Sequence, residues 1–172
     1  FTDVFFTVTA AQVAQIKASK ANAYIVFAFG KFAVQASIEA AKLGWKPKLV
    51  IVNGLGFEGW LPRLVKSAGN KARVVTATSG IKPRKPDEAA GHSHAGHSHD
   101  EADPHAWQSV ANAKIYVTNI RHALSGVDAA GAETYRANAE AYLAKLDAFD
   151  REIRDMVAKI PADRRKVISS HD

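Results

Sequence analysis

Four of the chain's seven histidines crowd into eight residues, His92, His94, His97 and His99, within the run Gly-His-Ser-His-Ala-Gly-His-Ser-His-Asp. Imidazole is a borderline-soft ligand that suits zinc, copper and nickel. A polar stretch of this kind can wrap two or three imidazoles round one ion, but the chain must be ordered to do so, which implies modest affinity. The tetrapeptide Gly-His-Ser-His occurs at 91 and again at 96, a tandem duplication inside the segment. An accidental low-complexity linker is the bland alternative, and the histidine density favours metal binding over it.

The other histidines are placed differently. His105 lies in Asp103-Pro104-His105-Ala106-Trp107. Proline suits the first turn of a helix, where its missing N–H costs nothing, and Asp103 is placed to cap that helix. His105 is then expected to project from a rigid helix start, although on spacing alone a solvated histidine near a helix end is favoured over a ligand. His171 follows an expected strand, Lys166 to Ser170. Side chains at the carboxyl ends of parallel strands face the ligand crevice of open α/β sheets, which makes His171 suggestive and no more. His122 sits beside Arg121 in a helical stretch and reads as solvated.

The elements that must position these groups alternate along the first 78 residues. Apolar runs at 1–8, 23–29, 48–52 and 72–78 read as strands. Between them lie helices expected from Thr9 to about Lys20, from Lys31 to about Leu43 with Gly44 closing it, and from Phe57 to Ser67. This predicts an α/β lobe over 1–78, a mostly parallel sheet with helices on both faces. Residues 79–103 are rich in Pro, Gly, His, Asp and Glu and form an exposed loop of unusual length. The helical remainder of the lobe follows over 104–132, with Val110, Ala113, Val117, Ile120 and Leu124 at three- and four-residue spacing. The same spacing from Tyr135 to Ile160 predicts one uninterrupted helix over 133–161, about 39 Å long at 1.5 Å per residue, long enough to join two lobes. Pro161 stops it, and 162–172 reads as the start of an incomplete second lobe, with its first strand at 166–169.

Composition narrows the function classes. The 172 residues are 47% hydrophobic, enough for an ordinary core, and carry a net charge of +6. The Lys and Arg residues are scattered, and the cluster Lys82, Arg84, Lys85 is broken by prolines and followed by Asp87 and Glu88, so nucleic acid is not an expected partner. The apolar runs are too short for membrane insertion. Cysteine is absent, which removes thiolate metal sites. No signal peptide is read at Phe1-Thr2-Asp3. Catalytic zinc needs three protein ligands beside an open position and a general base, and no His-Glu-x-x-His or comparable cluster is present, so the chain is not expected to be an enzyme.

Taken in order, Val52-Asn53-Gly54-Leu55-Gly56-Phe57-Glu58-Gly59-Trp60-Leu61, the His-rich loop, Asp103-Pro104-His105-Ala106-Trp107, the long helix and Ser169-Ser170-His171-Asp172 resemble the zinc- and manganese-binding periplasmic solute-binding proteins of metal ABC transporters. The resemblance covers residues 48–172. It implies two α/β lobes joined by one long helix, His105 and His171 as direct metal ligands, and His92, His94, His97 and His99 as auxiliary capture groups. It also implies a periplasmic location, Zn2+ as cargo because of the His-rich loop, and a permease as partner. Two features depart from the family pattern. No histidine precedes residue 92, so the ligand the family draws from before the Asn-Gly strand is missing, and the ligand from the second lobe lies beyond residue 172. An absent second lobe would leave a face open to self-association. Residues 1–50, through Ala11 to Lys20, Ile25 to Gly30 and Ala40 to Val50, resemble part of a type I periplasmic binding domain of the branched-chain amino acid class, which suggests a chimera joined near Lys48-Leu49-Val50. The expected function is zinc capture for a permease by a partial or chimeric module. The alternative is an engineered or recombinant α/β scaffold with no physiological ligand.

Overall fold

A computed structural model describes residues 10–19, 30–45, 47–59, 61, 72–84 and 102–165. The strands expected at 1–8, 23–29 and 166–169, most of the helix at 57–67, His92, His94, His97, His99 and His171 lie outside the described residues. In the described part the chain is α/β, helix-rich with a small parallel sheet and one long helix. Strand β1 is Leu49–Val52 and β2 is Arg73–Thr76, and they are paired. Arg73 N–H donates to the Lys48 carbonyl and Ala77 N–H to the Val52 carbonyl, a constant offset along both strands that fixes a parallel register. The crossover a parallel pair needs is the stretch between residues 52 and 73.

The chain divides into two compact units, Phe1–Val50 with Glu58–Val74, and Ile51–Phe57 with Val75–Asp172. The first contains helix α1, Ala10–Ala18, packed with helix α2, Gly30–Lys42. Val13 and Ala36 are fully buried there. Gly44 ends α2 as the sequence predicts. At φ +66° its N–H reaches the Ala41 carbonyl, while Trp45 N–H reaches the Ala40 carbonyl. This double closure satisfies two helix-end acceptors, and the left-handed residue inside it favours glycine. The Lys17 ammonium also donates to the Leu43 carbonyl.

The second unit is built on a pair of helices, α3, Val110–Ser125, and α4, Ala132–Ala158. Ala123, Ala139 and Leu146 are buried, and small side chains at two of these positions let the helices approach closely. Lys114 Nζ meets Asp147 Oδ1 at 2.5 Å across the pair. The turn between the helices is held by Asp128, whose carboxylate accepts from Gly131 N–H at 3.3 Å and from the Tyr135 hydroxyl at 2.6 Å. α4 is one continuous helix of 27 residues. It ends at Ala158, just short of the predicted bound, because Lys159 and Ile160 make tighter three-residue turns before Pro161, which has no N–H to offer. Among the described residues no helix is long and apolar enough to cross a membrane.

Candidate functional site

The segment around His105 folds differently from the sequence expectation. Asp103 does not cap a helix. Its Oδ1 accepts the His105 backbone N–H at 2.9 Å, closing a side-chain turn around Pro104. His105 has φ −79° and ψ 34°, outside the helical well, and leads into a short 3-10 turn, Ala106–Gln108. The α-helix begins only at Val110, where the Ser109 hydroxyl accepts from Asn112 N–H at 3.5 Å. The aspartate prefers the nearby backbone donor to a helix it would have to reach across proline, as Asp side chains in turns commonly do.

The same carboxylate oxygen also meets His105 Nδ1 at 2.8 Å. Neither group is deeply buried, with 20% of the imidazole and 27% of the carboxylate side chain exposed, so both are reachable by an ion from solvent. The Asp103 carboxyl is held below its ordinary value, first by the His105 backbone N–H, with burial opposing and the imidazole and Arg84 adding to the lowering. A carboxylate that accepts a hydrogen bond from Nδ1–H leaves the lone pair of the neutral imidazole on Nε2, the tautomer of a metal-ligating histidine. The Trp107 indole stands edge-on to the imidazole, ring centroids 5.2 Å apart, and Phe57 stands edge-on to the indole at 5.3 Å.

Beneath this segment lies a set of amide contacts. Asn53, just after β1, donates through Nδ2 to the Pro104 carbonyl at 3.0 Å and accepts from the Tyr116 hydroxyl of α3. Its own carbonyl accepts from the Thr78 hydroxyl at 2.7 Å. Asn119 of α3 donates to the carbonyls of Ala77 and Ser79 at 2.8 and 3.0 Å, and Asn112 to that of Ala106 at 3.0 Å. In the sequence Asn53-Gly54 stands out as part of the motif that follows the strand at 48–52, with no role for the Asn53 side chain, and Tyr116 does not stand out. An asparagine at the carboxyl end of a buried strand was the available signal, because that edge is where ligand crevices form. The two ends of the His-rich stretch are joined, since Asp103 N–H donates to the Arg84 carbonyl at 3.2 Å. Among the described residues no group of three His, Asp or Glu side chains converges as a metal site. His122 lies on α3 next to the Arg121 guanidinium and is exposed, in keeping with a solvated role.

The family described as zinc-uptake complex component A, periplasmic (ZnuA) matches residues 32–172. The chain is 38% identical over 122 residues to the iron-binding protein YfeA of Yersinia pestis, covering 71% of this chain and 37% of that protein. It is 40% identical over 121 residues to the manganese-binding lipoprotein MntA of Halalkalibacterium halodurans, covering 70% and 37%. A zinc-bound deletion mutant of ZnuA superimposes with a TM-score of 0.61 at 26% identity, covering 72% of this chain and 44% of that one. The chain thus spans under half the length of these relatives. The match begins well before residue 48, so residues 32–50, which the sequence assigned to a different resemblance, fall within it. On the extent of that match, the chain belongs to the ZnuA family of periplasmic metal-binding components.

Proposed function

We propose that this chain is part of an extracytoplasmic substrate-binding protein that captures a divalent transition-metal ion and passes it to the permease of an ABC transporter. The observation that carries this reading is the Asp103–His105 pair, a carboxylate holding Nδ1 of a solvent-reachable imidazole at 2.8 Å. That arrangement orients a histidine for coordination, and it needs no second reactant. The family consists of binding components and not of enzymes, which agrees with a site built to hold an ion. In this reading His171 joins His105 on the ion. Zinc–nitrogen bonds are about 2.0–2.1 Å, which sets two ligating nitrogens about 3.3 Å apart. His92, His94, His97 and His99 deliver metal to that pair. The location is periplasmic or on the outer face of the cell membrane.

Zinc is the cargo favoured by the imidazole-rich composition, because nitrogen donors hold zinc more tightly than manganese or ferrous iron. A second reading, manganese or iron, is favoured by the names of the relatives at 38% and 40% identity. A separate origin for the N-terminal segment keeps its support only over residues 1–31, outside the family match.

Calorimetric titration with Zn2+ and with Mn2+ tests the proposal on the chain, His105→Ala, His171→Ala and a variant with the four loop histidines replaced. The expected result is saturable binding, tighter for zinc, that either single substitution weakens by at least tenfold. Loss of all binding in the loop variant, with parent-like binding in both single variants, would leave only the loop holding metal. No saturable binding by the parent would favour the ligand-free scaffold.

A further inference from the structure

We infer that Asn53 and Tyr116 are positioning residues for His105, acting together through the Pro104–His105 peptide group; the inference rests on the reading of His105 as a metal ligand. That peptide is held at both ends. Its carbonyl accepts from Asn53 Nδ2 at 3.0 Å, and its N–H donates to Asp103 at 2.9 Å. With the peptide plane fixed, the N–Cα bond of His105 is fixed, and the Asp103 contact to Nδ1 then limits rotation about it and sets the ring.

The orientation of the Asn53 amide follows from its partners. The carbonyls of Gly54 and Pro104 can only accept, so the amide nitrogen must face them. The Tyr116 hydroxyl then donates to the amide oxygen. Tyr116 belongs to α3 and Asn53 directly follows β1, so two regular elements meet at the amide that holds the peptide before the histidine. The Asn53 backbone is itself held, its carbonyl accepting from both the N–H and the hydroxyl of Thr78.

The turn after Asn53 is built to the same end. Gly54, Leu55 and Gly56 all have positive φ, +91°, +55° and +81°. A leucine there is strained, and such strain persists only where surrounding contacts over-determine it. This turn returns Phe57 to the Trp107 ring, which stands against the imidazole. One five-residue stretch therefore reaches the histidine by two routes, the Asn53 amide on the peptide before it and Phe57 against the Trp107 ring that stands beside it.

The test compares the parent with Asn53→Ala, Tyr116→Phe and His105→Ala. Long-range proton–nitrogen spectra of the metal-free imidazoles are recorded, the His105 signals being assigned by their loss in His105→Ala, and Zn2+ alone is titrated by calorimetry. Circular dichroism checks that each variant is folded. The expected result is displaced His105 ring signals in both positioning variants and zinc affinity lower by about 10-fold or more, the scale of losing an outer-shell partner of a metal ligand. Tyr116→Phe removes one oxygen and keeps the ring, so it carries the test if Asn53→Ala does not fold. Unmoved ring signals, or parent-like affinity in both variants when His105→Ala has lost it, overturn the inference. If His105→Ala binds zinc like the parent, the metal reading fails by itself. The ring signals then decide alone: displaced signals sustain the positioning role, and unmoved ones end it.

Discussion

At the scale of single residues, Asp103 is the group whose chemistry is best defined. Its carboxyl is held below the ordinary 3.8, the His105 backbone N–H being the main cause. A depressed carboxylate contributes stability that is present above its unfolded value and is lost as pH falls through the folded one. The turn around Pro104 is therefore expected to survive acidification past 3.8 and to open below it. The His105 amide proton reports this directly, because that N–H is the donor. An acid titration followed by NMR should give a midpoint below 3.8 for this amide, and Asp103→Asn should abolish the transition. A midpoint at or above the ordinary value would mean that the backbone contact does not favour the ionised form. The importance of Asp103 and His105 was legible from their spacing with Pro104, but the wrong role was assigned to the aspartate. A capping side chain and a turn-closing side chain share the same composition, and only the non-helical ψ of His105 separates them.

At the scale of elements, the helices were the most legible because their apolar spacing repeats over several turns, as in Ala139 and Leu146 on α4. The parallel direction of β1 and β2 followed from alternation of strands and helices, while their register did not. The turn joining β1 to Phe57 was not legible, because its geometry depends on side chains arriving from β2. A Cβ at Gly54 would run into Thr76 Cγ2 and lie 2.8 Å from Thr78 Oγ1, at φ +91°. Thr76 is β-branched and stiff, so it yields little. Gly54→Ala should therefore cost about 2–4 kcal/mol, combining backbone strain with overpacking. Chemical denaturation measures it. Adding Thr76→Ser removes the clashing methyl and should restore part of the loss, leaving the φ strain. A Gly54→Ala variant of parent stability would show that this turn has another conformation open to it.

At the scale of the whole molecule, the long helix carries more apolar surface than α3 covers. Tyr142, Phe149 and Met156 recur every seventh residue on α4 and are each about half exposed, at 52%, 49% and 50%. A seven-residue step drifts by only about 20° around a helix, so the three share one stripe. Val157 and, just past the helix end, Ile160 are exposed apolar side chains as well. Leu146, between Tyr142 and Phe149 in sequence, is by contrast buried. A continuous stripe of this kind is uncommon on a surface that meets only water. The matched stretch is only 37% of each of two relatives, so each has further chain beyond it. The 172-residue chain taken alone is expected to cover the stripe with a second copy, by reversible self-association. Sedimentation velocity over a concentration series should show the sedimentation coefficient rising with concentration. Phe149→Ser combined with Met156→Lys should hold the chain as a monomer, since a charge at the centre of an apolar contact costs far more than it does in water. Neither position lies near His105 in sequence or belongs to its contacts, so zinc titration of this double variant should match the parent. A parent chain that stays monomeric across the series would show that the stripe tolerates water, and the apolar repeat on α4 would then serve the helix pair alone.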